Sequence, residues 1–447
     1  MNPRSVADFL ALSYVPDPLT IYHGVEKLLP GHSLTVTEAG LRQRRYWQPV
    51  FAADPSKRRF EDVVDEIRAI AADAVERRMV SDVPLGAFLS GGVDSSAVVG
   101  LMAQRAPDRV KTFSIGFTVN EFDELAFARL AAERWQTEHR EDVVPLDIGD
   151  TLQELVAQFD EPFGDSSAIP MLYLARLARR EVTVALSGDG ADELFGGYRR
   201  YFHEVVDERM RRRFPERFRR TVLRRWGENY PAFEYLPKLF QAGPLLKNLA
   251  SEIGDTYFTT MTAFRNENIM APEMRRALGS YTSRASFRER FAAYRHLSPL
   301  QQLQAVDLET YLPGDILVKV DRTTMAHSLE SRSPWLDYRL GELACSLPES
   351  YKLRGEIGKH VFKQAMAPYL PPEIVTRFKM GFSAPVADWF RGALKRTFEE
   401  QVFSPSMGAY LAPGEVRRIW DEHQAHQQDH ARRLWTLLML ATWVNRP

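Results

Sequence analysis

The sequence predicts an α/β fold in which a parallel sheet carries helices on both faces. Three observations predict it. Between residues 85 and 188, short β-prone runs alternate with helical stretches of ten or more residues. Glycine-rich turns directly follow two of those runs, and in such sheets ligands gather at the carboxyl ends of strands. The chain has 447 residues, of which 45% are hydrophobic and 26% charged, the composition of a folded soluble protein long enough for more than one core.

Taken in order, residues 1–57 mix short apolar runs with turn signals ("PDP", "PGH", "AADPS") and show no sustained helical period. Strands and loops are expected there, as a short β-rich segment at the edge of the fold. Residues 60–78, "FEDVVDEIRAIAADAVERR", place Val63, Ile67, Ile70 and Ala74 along one face of an amphipathic helix. "LGAFLS" then reads as a strand, "SSAVVGLMAQRA" as a helix and "VKTFSIGF" as a second strand. "ELAFARLAAERW" is a helix, "EDVVPL" a third strand, "LQELVAQF" and "PMLYLARLARR" helices, and "VTVALSG" a further strand.

After Tyr198 the β signal fades, and a large helical C-terminal part is expected, with residues 199–297 as a helical insertion. The insertion contains "DERMRRRFPERFRRTVLRRW", in which Met210, Phe214, Phe218, Val222, Leu223 and Trp226 form an apolar stripe beneath a solvated arginine face. The late run "LWTLLMLATWV" falls short of the roughly 20 residues that span a bilayer and reads as a buried C-terminal helix. The domain division is therefore 1–57 and 58–447.

Whole-chain properties exclude some functions. A formal net charge of −1 provides no global attraction for nucleic acid or an anionic membrane. The opening "MNPRSVADFLALSYVPDPLT" lacks the basic start and unbroken apolar stretch of a signal peptide, so a cytoplasmic protein is expected. Cys345 is the sole cysteine, which rules out a disulfide within the chain. Its apolar neighbours make it a core residue rather than a nucleophile.

The stretch "LSGGVDSS", Leu89 to Ser96, ends a strand and opens a helix. Gly91 and Gly92 let successive backbone N–H groups approach an anion, and Ser90, Ser95 and Ser96 add small hydroxyl donors. The loop lacks the Gly-Lys-Ser/Thr of a Walker A turn and the spacing of a dinucleotide fingerprint, and it fits a pyrophosphate grip. Asp94 inside that cradle would repel phosphate unless a cation sits between them, and its hard oxygen suits Mg²⁺. A second strand end, "ALSGDGADELFGGY", repeats the small-residue approach at Ser187 and Gly188 and adds Asp189, Asp192 and Glu193.

Together "LSGGVDSS", "TFSIGF", "EPFGDSSAIPMLYLARLA", "LSGDGADELFGGY", "YLPGDILVKVDRTTMAHSLESRSPWLD" and "RFKMGFSAPVADWF" resemble the synthetase portion of glutamine-hydrolysing asparagine synthetases. The first motif is shared with the wider N-type ATP pyrophosphatases, whereas the later ones are narrower. The resemblance implies ATP with its adenine near Leu89 and Ile115 and its phosphates on Ser90 to Ser96 and Ser187-Gly188. Mg²⁺ would be held by Asp94 and Asp192, and Asp192, Glu193 and Arg332 would bind substrate.

Aspartate would be adenylated at its β-carboxylate and ammonia would displace AMP. Lys379 matches the family lysine that stabilises pyrophosphate. Asp189 stands where the family often has glutamate, a position tied to the acyl-adenylate and to deprotonating the amine. Glu330 and Arg332 either order the pocket, with Glu330 in a catalytic role, or form a structural pair.

"LTIYHGVEKLLPGHSLTV" followed by Tyr46-Trp47 resembles the closing strands of a glutaminase domain and its linker, with no cysteine before Cys345. Residues 1–57 then read as a remnant of that domain, and glutamine hydrolysis by this chain is not expected. Nitrogen would come as free ammonia or from a glutaminase partner, unless the chain's start is set too far downstream. A homodimer is the self-association it suggests, and no nucleic-acid or membrane partner is expected. Two other readings stay open: adenylation of a different acid, as in β-lactam synthetases and lasso-peptide cyclases, and a non-catalytic nucleotide-binding remnant in a surface polysaccharide assembly.

Overall fold

A computed structural model describes residues 1–51, 58–117, 124–145, 148–230, 242–376 and 384–446. Its centre is a five-stranded sheet in which every neighbouring pair is parallel. Apart from it, β1 (His32–Thr37) and β2 (Gly40–Arg45) form a separate antiparallel hairpin. The sheet contains β3 (Leu85–Phe88), β4 (Lys111–Phe117), β5 (Glu138–Val144), β6 (Val184–Leu186) and β7 (Glu330–Arg332), in the order β5-β4-β3-β6-β7. Chain order runs outward from β3 to β5 on one side and from β6 to β7 on the other. The reversal therefore falls between β3 and β6, where a crevice opens at the carboxyl ends.

Alternate side chains of these strands enter two different cores. Phe88, Phe113, Ile115 and Ala185 join one cluster with α5 (Gly149–Gln158), α6 (Ala168–Arg179) and the C-terminal helix Ala431–Val444. Ala87, Leu89 and Leu186 join the other with α2 (Phe60–Met79), α3 (Val93–Ala103) and α4 (Leu125–Trp135). Helices thus cover both faces, as expected from the alternation of strands and helices. No helix of the described residues is long and apolar enough to cross a membrane.

Three features differ from the sequence reading. Residues 1–57 are not strands and loops throughout, because α1 (Pro3–Leu12) is a helix capped by the Asn2 side chain. Every residue from Ser5 to Leu12 is buried, against helices Ser283–Ala293 and Ala431–Val444 among others. The helix is only ten residues long and is followed at once by turn signals, so its apolar period is not sustained. Secondly, β7 interrupts the helical C-terminal part, and three residues are too few to show an alternation. Thirdly, the arginine-rich run is broken after α8 (Arg199–Arg211), and Phe214, Phe218 and Trp226 of its apolar stripe remain exposed.

The docking of α1 carries a testable cost. Asp8 is 3% exposed and accepts a hydrogen bond from Tyr281 Oη at 2.7 Å. Burial pushes its carboxyl from 3.8 up to about 6, against the hydrogen bond from Tyr281 and the charge of Arg290. A folded value above the unfolded one favours the protonated form, so this contribution is intact below about pH 4 and is lost as the pH rises through 6. At pH 7 the ionised carboxylate costs about 3 kcal/mol, and Asp8→Asn is expected to raise the melting temperature at pH 7 but scarcely at pH 4. Calorimetry at the two pH values checks the difference.

Candidate functional site

Two strand-end loops meet above the sheet. The first leaves β3 through Leu89 to Gly92 and enters α3. Gly91 takes a φ of +68° in the left-handed region, and an added Cβ would lie 2.5 Å from the Ala128 backbone nitrogen on α4. Glycine is required there both by conformation and by space. Hydroxyls organise the turn: Ser95 Oγ accepts from the Ser90 N–H at 3.1 Å and lies 3.0 Å from Ser90 Oγ.

The second loop leaves β6 through Ser187 and Gly188 into the short helix α7 (Ala191–Phe195). Gly188 lets the loops touch, since a Cβ there would fall 2.7 Å from the Ser95 nitrogen. The Ser187 N–H donates to the Arg332 carbonyl at 2.8 Å, tying this loop to β7. Beneath the first loop the fully buried Trp335 donates its indole N–H to the Asp94 carbonyl at 3.3 Å.

A cavity of about 780 Å³ opens between the loops. Of the residues singled out in the sequence, Leu89, Ser90, Gly92, Asp94, Ser95 and Ile115 line it from the β3–β4 side, and Ser187, Gly188, Asp189, Asp192 and Glu193 from the β6 side. Gly91 turns against α4 instead, and Ser96 is fully buried behind the turn.

Glu330 and Arg332 are not brought into the cavity. Glu330 begins β7, at the end of the sheet remote from the loops, with its side chain 56% exposed. Arg332 turns away to donate to the carbonyls of Arg78 and Val80 at the end of α2, at 2.9 and 2.7 Å, and pairs with Glu330 at 2.7 Å. The orphan carbonyls of a helix terminus thus claim this guanidinium. Lys379 lies outside the described residues.

The residue that sequence reasoning missed is Lys359, in "GEIGKH". Its Nζ stands 2.8 and 2.7 Å from the two carboxylate oxygens of Asp94 and 2.8 Å from Asp192 Oδ1. One ammonium therefore joins the acidic side chains of the two loops. Its backbone is left-handed, with φ +56°, immediately before helix His360–Met366. Burial opposes its charge, but Asp192 and Asp94 overcome that penalty and hold the ammonium protonated well above the ordinary lysine range. The readable signal was a Gly-Lys pair at a helix start, which is too common to single out.

Deeper in the cavity Lys319 donates to Asp165 Oδ2 at 2.8 Å and Ser167 Oγ at 2.9 Å. Burial would raise the Asp165 carboxyl, yet the Lys319 charge holds it below its usual range. Tyr198 Oη donates to Glu193 Oε1 at 2.5 Å. The floor thus presents fixed polar groups while Leu89, Ile115 and Met171 supply apolar walls.

Asp94 and Asp192 also suit a divalent ion. Mg²⁺ is commonly held by one or two carboxylates together with substrate phosphates and water. Two carboxylates converging on one positive charge, beside a loop of backbone N–H groups, match that donor set. No group of three or more His, Cys, Asp or Glu among the described residues forms a cage of its own. Cys345 is buried, and burial pushes its thiol up to about 11, so it stays an inert core residue.

The asparagine synthase family profile matches residues 66–445. A putative asparagine synthetase (glutamine-hydrolyzing) of Mycobacterium tuberculosis strain H37Rv is 34% identical over 99% of this chain and 67% of its own length. Asparagine synthetase (glutamine-hydrolyzing) 1 of Bacillus subtilis strain 168 is 30% identical over 99% of this chain and 68% of its own. The amidase chry2 of Gibberella zeae is 25% identical over 87% of this chain and 63% of its own. The chain thus spans about two thirds of the length of the first two relatives. Because the family match runs from α2 to the C-terminal helix and takes in both loops and the lysine between them, the chain belongs to the asparagine synthase family.

Proposed function

We propose that the protein is an ATP-dependent amide-forming ligase that converts aspartate and ammonia to asparagine, releasing AMP and pyrophosphate. The observation that carries this reading is the Lys359 ammonium shared by Asp94 and Asp192 between two glycine-rich strand ends. Such an arrangement serves a polyphosphate chain, for which backbone N–H groups supply donors and a fixed cation supplies charge. Support for the family's chemistry comes from relatives named asparagine synthetase.

In this reading the adenine rests against Leu89 and Ile115, and the triphosphate lies over the first loop and Ser187-Gly188. A β-carboxylate oxygen of aspartate attacks the α-phosphorus, the bond from that phosphorus to the bridging oxygen breaks, and pyrophosphate leaves. Ammonia then attacks the acyl carbon of β-aspartyl-AMP, AMP departs with the bonding pair, and the amine's extra proton passes to a base. Asp189 is assigned that base, its side chain being shorter than the glutamate that the resemblance implies at this position.

Lys359 neutralises charge on the departing pyrophosphate, a role shared with Lys379. Mg²⁺, held by Asp94 and Asp192, would supply further charge neutralisation at the phosphates. Glu193 and Asp165, fixed by Tyr198 and Lys319, shape the acid-binding side. Glu330 and Arg332 serve as structural ties of β7. Ammonia, free or derived from glutamine, supplies the nitrogen.

Incubation with ATP, magnesium, aspartate and ammonium is expected to yield AMP and pyrophosphate in equal amounts. Release of ADP and phosphate would contradict the assignment. Acid-dependent pyrophosphate exchange with a panel of carboxylic acids tests the substrate separately, and strong exchange with another acid but none with aspartate would replace aspartate.

A further inference from the structure

A third buried lysine, besides Lys359 and Lys319, stands behind the loops, outside the cavity. Lys352, which ends helix Glu349–Lys352, is 1% exposed, and its Nζ donates to Gln304 Oε1 at 2.8 Å. Gln304 lies on helix Pro299–Glu309 and is equally buried. Its Nε2 donates to the carbonyls of Glu193 at 2.6 Å and Leu194 at 2.8 Å.

Those carbonyls belong to α7, which has only five residues yet carries both Asp192 and Glu193. A helix of that length cannot sustain itself, and its terminal carbonyls need partners from elsewhere. Within the loop, the N–H groups of Gly196 and Gly197 serve the Asp192 carbonyl. Gln304 serves the next two.

An amide presents an acceptor at one end and donors at the other, and an ammonium only donates. Lys352 therefore decides which end of Gln304 faces α7. Burying an ammonium beside a neutral partner is costly, whereas an apolar side chain would fill the same space without that cost. Burial pushes Lys352 down to about 8, with Cys345 on the neighbouring helix and Glu349 on its own as the ionisable groups acting on it.

We propose that Gln304 and Lys352 are positioning residues of the nucleotide site, the ammonium orienting the amide and the amide capping the helix that presents Asp192 and Glu193. The proposal rests on the ATP-binding reading above.

Gln304→Glu provides the test. Glutamate has nearly the same shape and gains an ion pair with Lys352, so the packing around residue 304 is kept while an oxygen replaces the donor that faces the Glu193 and Leu194 carbonyls. It offers α7 no donor. The expected result is a protein that still unfolds cooperatively, at a lower melting temperature, and whose affinity for ATP·Mg²⁺ is lowered about tenfold, measured by calorimetry without any acid.

Lys352→Met is expected to lower affinity in the same direction. Combining it with Gln304→Met should lower affinity little more than Gln304→Met alone, because the lysine acts through the amide. A folded Gln304→Glu protein that binds ATP within twofold of wild type overturns the proposal. Should that variant not fold, unchanged affinity in Lys352→Met overturns it equally. A wild-type protein that binds no ATP overturns the functional reading and the relay with it, whereas unaltered variants of an ATP-binding wild type overturn the relay alone.

Discussion

A Lys359→Met variant is expected to lose pyrophosphate release by about 1,000-fold and, with no ligand present, to melt well below the wild-type protein. Methionine matches the lysine stem in length and fills the same space, so the change isolates the charge. The Lys359 side chain is 6% exposed, and its partners Asp94 and Asp192 are 18% and 14% exposed. Removing the cation leaves two poorly solvated carboxylates, from different loops, converging on one another. Breaking a buried pair in this way costs about 3–5 kcal/mol, because the remaining charge keeps its desolvation penalty.

A second change separates stability from chemistry. In Lys359→Met combined with Asp192→Asn, most of the melting temperature should return while pyrophosphate release does not. Calorimetry and a pyrophosphate assay read the two properties independently. A single variant that melts like the wild type would show that the loops do not depend on this ammonium, and one that retains turnover would remove it from the reaction.

The loops were legible in the sequence because their chemistry is local. Gly91, Gly92 and Gly188 meet spatial demands within a few residues of Asp94 and Ser187, and the strands before them have a clear apolar pattern. Lys359 was not legible for the opposite reason. It reaches the site by tertiary packing, through Trp335 and Phe362, whose rings cross at 88° with centroids 5.0 Å apart beneath the first loop. Nothing in "GEIGKH" reports that placement.

Arg332 shows how a residue can be assigned to a pocket that its side chain does not face. Its backbone continues the ladder to Ser187, but its guanidinium has closer calls on it at the end of α2. Helix α1 and strand β7 were both hidden by brevity. Periodicity speaks only for elements that are long and half exposed.

Asp94→Asn is the change that separates an enzyme from a nucleotide-binding scaffold. Asparagine retains the size of aspartate and a carbonyl oxygen for Lys359, whose pairing with Asp192 persists, so the loops should stay assembled and the melting temperature should shift only slightly. What disappears is a hard anionic oxygen at the point where the loops meet. If the aspartate neutralises the cradle through a magnesium ion on the phosphates, turnover falls about 1,000-fold and the magnesium concentration for half-maximal rate rises. Steady-state AMP formation over a magnesium series reads both effects. A scaffold would show no turnover even in the wild type and would keep its assembly in the variant. An Asp94→Asn protein whose turnover stays within tenfold of wild type, with an unchanged magnesium requirement, would place this aspartate away from the reacting phosphates and leave Lys359 to hold the loops for another purpose.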